Sequence, residues 1–360
     1  MQKETDRFYE IDLLRFLAAA AVVFYHYAFR GYAADDMSIL SFPTMGEIFR
    51  YGYLGVDLFF MISGFVIFMT ALNRDALAFV ISRIARLYPA FWVSVTLTAL
   101  VMMLLKDHRY PITLSQYLLN LTMISGYFGV EPVDGVYWSL LVELKFYFLV
   151  FLIVVSGLMK YVQKILGIWL VMTVIGYIYG LPSILDFFFF PKWSVYFISG
   201  VMFYLIRAEG VSVYKMTILL CTYFLAVQRV FDAAAGLEDR YNTLLSPYVL
   251  VMIITSFYFI FSLIAFRKSG LLNRKVFVPC GAMVYPLYLI HQNIGFMFFN
   301  YFGEDFNKYV LLIVTTGSIL FVSYLIHAHI EERLSKPLKR VLSAAALYLP
   351  VASLKTNRSI

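Results

Sequence analysis

Long apolar runs separated by short polar clusters recur along the whole chain. Ten runs, roughly 11–30, 52–72, 80–105, 137–157, 164–181, 192–207, 213–229, 244–266, 280–302 and 309–330, approach the ~20 residues that an α-helix needs to cross a bilayer. The connecting segments are short. The longest, about 106–136, has some thirty residues, and the stretch after the last run is of similar length. No low-complexity linker and no internal repeat interrupts the series. The pattern predicts an all-α polytopic membrane protein of about ten transmembrane helices. A transmembrane domain over 1–335 is expected, followed by a basic cytoplasmic tail over 336–360.

Composition strengthens this reading. Of 360 residues, 62% are hydrophobic and 14% charged, with a mean hydropathy of +0.79. A soluble domain is nearer half apolar and a quarter charged, and a water-soluble fold of this size could not hide so much apolar surface. The first apolar run follows a segment of mixed charge and lacks a small-residue cleavage site, so it reads as a retained span rather than a signal peptide. Cys221 and Cys280 have no CxxC or Cys/His spacing, and neither a disulfide framework nor a metal site is expected.

The net charge of +7 does not point to nucleic acid once it is mapped onto the spans. With the N-terminus inside, nineteen of the 29 basic residues fall in inner loops and the tail, including Lys3, Arg7, Lys355 and Arg358. Eight fall in outer loops, and Arg15 and Lys145 lie within spans. The outer loops instead carry acids such as Asp35, Asp36, Asp107 and Asp134. This bias follows the positive-inside rule, and an even number of spans puts both termini in the cytoplasm.

Charged and polar residues inside the runs are costly and mark candidate sites. In the first run, Arg15 and His26 are eleven residues apart. That separation is about 20° past three helical turns and about 16 Å of rise, so the two share a face. A snorkelling arginine and an interface histidine would give the same pattern. Arg83 and Arg86, at i and i+3, share a face at the inner start of the third run, where charge anchoring and a phosphate site fit equally. Glu143 and Lys145 in the fourth run are too close in sequence to face each other, so Glu143 needs a partner on another helix: a histidine for function, or an ion pair for structure alone. His291 lies deep in the ninth run beside Gln292 and Asn293. Tyr137, Trp138 and Ser139 sit near the outer mouth, as belt aromatics or as a surface on which a sugar stacks. His327 and His329, two residues apart, point to different faces and do not form a metal pair.

Several strings here resemble the acyltransferase-3 family of integral membrane O-acyltransferases. FYEIDLLRFLAAAAVVFYHYAF is similar to its opening, with an arginine and then a histidine one helix-length later. YGYLGVDLFFMISGFVI resembles its glycine–aromatic second span, and FVISRIARLYPAFW its Arg-x-x-Arg-x-Tyr-Pro signature. VYWSLLVELKFYF resembles its Trp-Ser-Leu-x-x-Glu-x-x-Phe-Tyr string, and YPLYLIHQ its late histidine string. The strings run in order from residue 8 to about 330. One departure is Leu13, where family members often carry glycine; Asp12 and Arg15 stay in place. No periplasmic esterase-like domain of the kind some members carry is expected after the last span.

The resemblance implies transfer of an acetyl or other short acyl group from cytoplasmic acyl-coenzyme A to a hydroxyl of an extracytoplasmic or lipid-linked glycan, in the bacterial cytoplasmic (inner) membrane. Arg15, Arg83 and Arg86 are then expected to bind the phosphates of acetyl-CoA, since the guanidinium fork suits phosphate. His26 is expected to be catalytic, as base or acyl carrier, with Glu143 orienting it. Tyr137, Trp138, Ser139 and His291 are the expected acceptor contacts. The expected partners are the glycan acceptor, acyl-CoA, membrane lipid and proteins of glycan assembly, with no nucleic acid. Two other classes use the same buried charges: a transporter or flippase of a glycan-export system, and a structural subunit of an export complex. No matching halves with broken helices support transport.

Overall fold

The computed structural model describes residues 8–33, 36–72, 74–346 and 348. Lys3, Arg7, Asp35, Lys355 and Arg358 lie outside them, as does most of the expected tail. Eleven long helices carry the architecture: α1 (Tyr9–Tyr25), α2 (Gly55–Ala71), α3 (Ala76–Leu105), α4 (Trp138–Val155), α5 (Val162–Tyr179), α6 (Pro191–Glu209), α7 (Val213–Tyr241), α8 (Pro247–Ala265), α9 (Val278–Phe302), α10 (Lys308–Ile326) and α11 (Glu332–Ala346). There is no strand among the described residues.

Local chemistry sets the helix starts. Asp75 accepts from the Ala78 amide at 2.7 Å to open α3, Ser212 caps α7, and Asn307 accepts from the Tyr309 and Val310 amides to open α10. Pro191 and Pro247 occupy first turns, where a missing N–H costs nothing. α2 and α6 form the tightest pair at the centre, with α1 beside α2 and α9 packed against α1, α3 and α10. α5, α7, α8 and α10 lie outside, and side chains such as Ile168, Ile178, Phe224, Met252 and Ile313 face outward. Such a surface would be a liability in water and is the expected one in lipid.

Among the described residues, nine helical stretches are long and apolar enough to cross a membrane. The remaining run, the ninth, 280–302, is the 25-residue α9. It has the length, but His291, Gln292 and Asn293 lower its hydropathy. The seventh run is also corrected. Its charged residues suggested an end at Arg229 and an outer loop beyond, yet α7 continues to Tyr241. Arg229 is buried, with its guanidinium 4.0 Å from the centre of the Trp193 ring. Lys215, one of the nineteen basic residues counted on the inner side, is buried within α7, pairs with Glu209 at 2.9 Å and donates to the Leu205 and Gly210 carbonyls.

The long connection 106–136 is folded onto the end of the bundle. Asn120 accepts from the Val133 amide at 2.9 Å, and Tyr110 donates to the Met37 carbonyl at 2.7 Å. At the opposite end, the boundary expected at 335/336 falls inside α11, which packs along α3.

Candidate active site

α1 is regular from Tyr9 to Tyr25 and then widens into a π-turn over His26–Arg30. Such turns interrupt the i→i+4 ladder and often accompany functional side chains. His26 Nδ1 lies 2.9 Å from His291 Nε2 of α9. His291 Nδ1 is 2.9 Å from the Tyr288 carbonyl oxygen, which can only accept. His291 therefore carries its proton on Nδ1. With both rings neutral, its Nε2 accepts from His26 Nδ1–H, and the lone pair of His26 rests on Nε2. Tyr27 locks the same turn by donating to the His291 carbonyl at 2.6 Å. Next to it, Arg30 donates to Gln292 Oε1 at 3.0 Å. Asn293 donates its backbone amide to Asp134 at 2.9 Å and its side chain to the Val133 carbonyl at 2.8 Å. Burial raises the Asp134 carboxyl to about 7, against the pull of the two amides that donate to it.

A cavity of about 1070 Å³ runs from one end of the bundle toward this pair. Its outer part is lined by Arg74, Arg83 and Arg86 on one side and by Arg333, Lys336 and Lys339 of α11 on the other, with Arg15 deeper on α1. These seven cations form no ion pair among the described residues. Further in, Ser63, Glu143 and Tyr147 line it, and it ends against Phe59, Ser139 and Tyr288. The Ser139 and Tyr288 hydroxyls are 2.7 Å apart, and the Tyr288 ring centre is 5.7 Å from that of His291. The histidine pair thus stands one side-chain layer beyond the cavity's end.

The cavity gathers Arg15, Arg83, Arg86, Glu143 and Ser139. Glu143 is not bonded to His26, which corrects its expected orienting role. Its Oε1 accepts from Ser63 at 2.8 Å and from Tyr147 at 2.6 Å, and the neighbour of His26 is His291. The reason is depth. Glu143 lies one turn below Ser139 on α4, whereas His291 lies nearly one turn above Tyr288 on α9, so about 10 Å of rise separates the two levels. Tyr137 is buried and donates to the Leu289 carbonyl at 3.2 Å, next to the histidine pair. Trp138 turns away from the cavity, its ring 5.0 Å from Trp193 and 6.3 Å from Phe60.

A family model described as an acyltransferase domain, of the acyltransferase-3 type, matches residues 8–328. The chain belongs to the acyltransferase-3 family. It is a multi-pass membrane O-acyltransferase. Among curated proteins, "Putative acetyltransferase ORF330" of Acidianus two-tailed virus is 26% identical over 301 residues, covering 81% of this chain and 84% of that protein. Nodulation protein 10 of Rhizobium leguminosarum bv. viciae is 29% identical over 158 residues, 38% of this chain and 41% of that protein. No solved structure matches.

Within this acyltransferase-3 chain, the family strings meet around one axis. The first and last bring His26 and His291 together, the third lines the cavity's outer wall, and the fourth supplies Glu143 and Ser139. Sequence reasoning passed over Tyr147, Ser63 and Tyr288. Tyr147 stands at i+4 from Glu143, a spacing that places the two on one helix face. It also passed over Arg333, Lys336 and Lys339, whose three-residue period in 332–346 was the available sign.

Proposed function

We propose that the protein transfers an acetyl or other short acyl group from cytoplasmic acyl-coenzyme A to a hydroxyl of an extracytoplasmic or lipid-linked glycan, in a cytoplasmic membrane. The observation that carries this reading is the cavity: cations that form no ion pair among the described residues at one end, apolar and hydroxyl-bearing walls further in, and a histidine pair just past its end. A thioester donor whose phosphates sit at one end and whose acyl group sits at the other has the matching polarity. The relative named as an acetyltransferase supports acetyl as the group moved.

In this reading, Arg15, Arg83 and Arg86 hold the donor's phosphates and the pantetheine arm extends toward Ser139 and Tyr288. His26 Nε2 takes the proton of the acceptor hydroxyl as that oxygen bonds to the thioester carbonyl carbon. The C–S bond then breaks, and the proton held on His26 Nε2 passes to the departing sulfur, so coenzyme A leaves as its thiol and His26 returns to its neutral form. His291 holds His26 in the tautomer with a free Nε2, the part that a carboxylate plays in hydrolase triads. Glu143, held by Ser63 and Tyr147, offsets positive charge among the cavity's arginines. Tyr137 and Ser139 line the approach of the reacting groups, and glycan-assembly proteins deliver the acceptor.

General-base catalysis contributes about 10²–10⁴ in rate. His26→Ala at wild-type abundance, in liposomes with labelled acetyl-CoA inside and acceptor sugar outside, is expected to lose at least ~100-fold in transfer. Undiminished transfer overturns the assignment of His26.

A further inference from the structure

The outermost cations of the cavity come from an element that the family match does not reach. That match ends at residue 328, and α11 begins at Glu332. Arg333, Lys336 and Lys339 recur every third residue, so they follow one face of α11 over about 9 Å of rise. Packing against α3 turns this face to the cavity, whereas Arg340, the next residue, does not line it. Arg83 and Arg86 face them from α3 with the same spacing. The cavity mouth therefore carries cations from two walls.

Cations placed only to orient a helix would spread toward water and headgroups rather than converge on a cavity. The neighbouring acids offset them only in part: Glu331 and Glu332 line the same cavity, and among the described residues neither forms an ion pair with the three cations. Glu331 and Glu332 are engaged by His327, at 3.0 and 3.5 Å, and Asp12 lies deeper, on α1. The site thus has positive charge in excess on the α11 side as well as on the α3 side, and it calls for a ligand with two anionic groups.

We propose that Arg333, Lys336 and Lys339 form a second phosphate subsite that takes the ribose 3′-phosphate of the donor, while Arg83 and Arg86 take its pyrophosphate. This rests on the acyl-coenzyme A reading above. Both phosphate groups belong to the nucleotide end, so a mouth with two basic walls suits that end. Lysines on flexible stems suit a phosphate monoester as point charges, and the α3 arginines suit a bridging pyrophosphate through their planar forks. The phosphate of an anionic lipid headgroup would satisfy the same chemistry.

The test uses the full chain in phosphatidylcholine nanodiscs, titrated calorimetrically with coenzyme A and with 3′-dephospho-coenzyme A. Wild type is expected to bind coenzyme A about tenfold or more tightly than the dephospho form. The triple variant Arg333→Gln, Lys336→Gln, Lys339→Gln should lose that preference and keep its affinity for dephospho-coenzyme A, which also reports an intact cavity. Arg340→Gln should keep both affinities. Arg83→Gln should weaken both ligands alike and keep the preference. A triple variant that retains the preference overturns the subsite, as does a wild type that has none. If the patch serves lipid headgroups instead, native mass spectrometry will find phosphatidylglycerol retained by wild type and lost by the triple variant, with the coenzyme preference untouched. Wild type that binds neither ligand overturns the donor reading itself.

Discussion

His26 and His291 each stand out in the sequence because an imidazole in an apolar run is costly and rare. Their pairing could not be read there, since 265 positions separate them. The Tyr288 carbonyl fixes the proton of His291, and His291 in turn fixes that of His26. Removing His291 leaves both nitrogens of His26 open to either tautomer. His291→Ala is therefore expected to lower kcat about a hundredfold with the donor KM unchanged, because the effect is on the base and not on the cations. His291→Gln, whose side-chain oxygen can accept from His26 Nδ1–H, should recover part of the loss. Steady-state kinetics of both variants test this: equal loss in Ala and Gln, or a raised donor KM, removes the positioning role. Glu143 shows why a role cannot be read from polarity alone. Its charge is visible in the sequence, but its depth relative to His26 follows from two helices that run in opposite directions.

Helix existence was legible because lipid demands long, nearly uncharged runs with internally paired backbones. The places where that reading slipped are places where tertiary contacts offset a polar residue. α9 carries His291, Gln292 and Asn293 because each finds a partner, and α7 runs through Arg229 because Trp193 covers its guanidinium. α11 was hidden for another reason: basic residues after a last span have an ordinary explanation in charge orientation. The glycine–aromatic string of α2 also acquires a physical cause. A Cβ on Gly64 would collide with the Phe197 carbonyl oxygen, and one on Gly200 with the Met61 carbonyl oxygen. The α2–α6 crossing is thus closed from both sides by the absence of a methyl group, as in other membrane helix pairs joined through small residues. Either Gly64→Ala or Gly200→Ala should force the helices apart at about 1–3 kcal/mol. In detergent, each is expected to lower the melting temperature by at least ~3 °C. Gly317→Ala on α10, where a Cβ meets nothing within 4 Å, should leave it unchanged or slightly higher. Equal melting temperatures for all three variants would show that the crossing does not depend on close backbone approach.

At the scale of the whole molecule, the two ends of the bundle have different chemistry. One end gathers the start of α1, the start of α3 and the first half of α11 around an open basic cavity. The other is closed by the connection 106–136, tied down through Asn120, Asp134 and Asn293. Between them lie the Ser139–Tyr288 layer and the histidine pair. On the proposed reading, a donor that cannot cross lipid enters by the basic end, and the positive-inside rule predicts that this end faces the cytoplasm. Orientation and mechanism are therefore one claim, and a labelling experiment can break it. In a chain with Cys221→Ser and Cys280→Ser, Lys339→Cys on α11 and Tyr127→Cys on the half-exposed far connection provide single thiols at opposite ends. A membrane-impermeant maleimide should modify Lys339→Cys only in inverted vesicles and Tyr127→Cys only in right-side-out vesicles. Reversed labelling would put the cations outside, away from any cytoplasmic donor. Labelling of both from the same side would mean that the two ends do not lie across a membrane from each other, and transfer through the bundle would have no direction to follow.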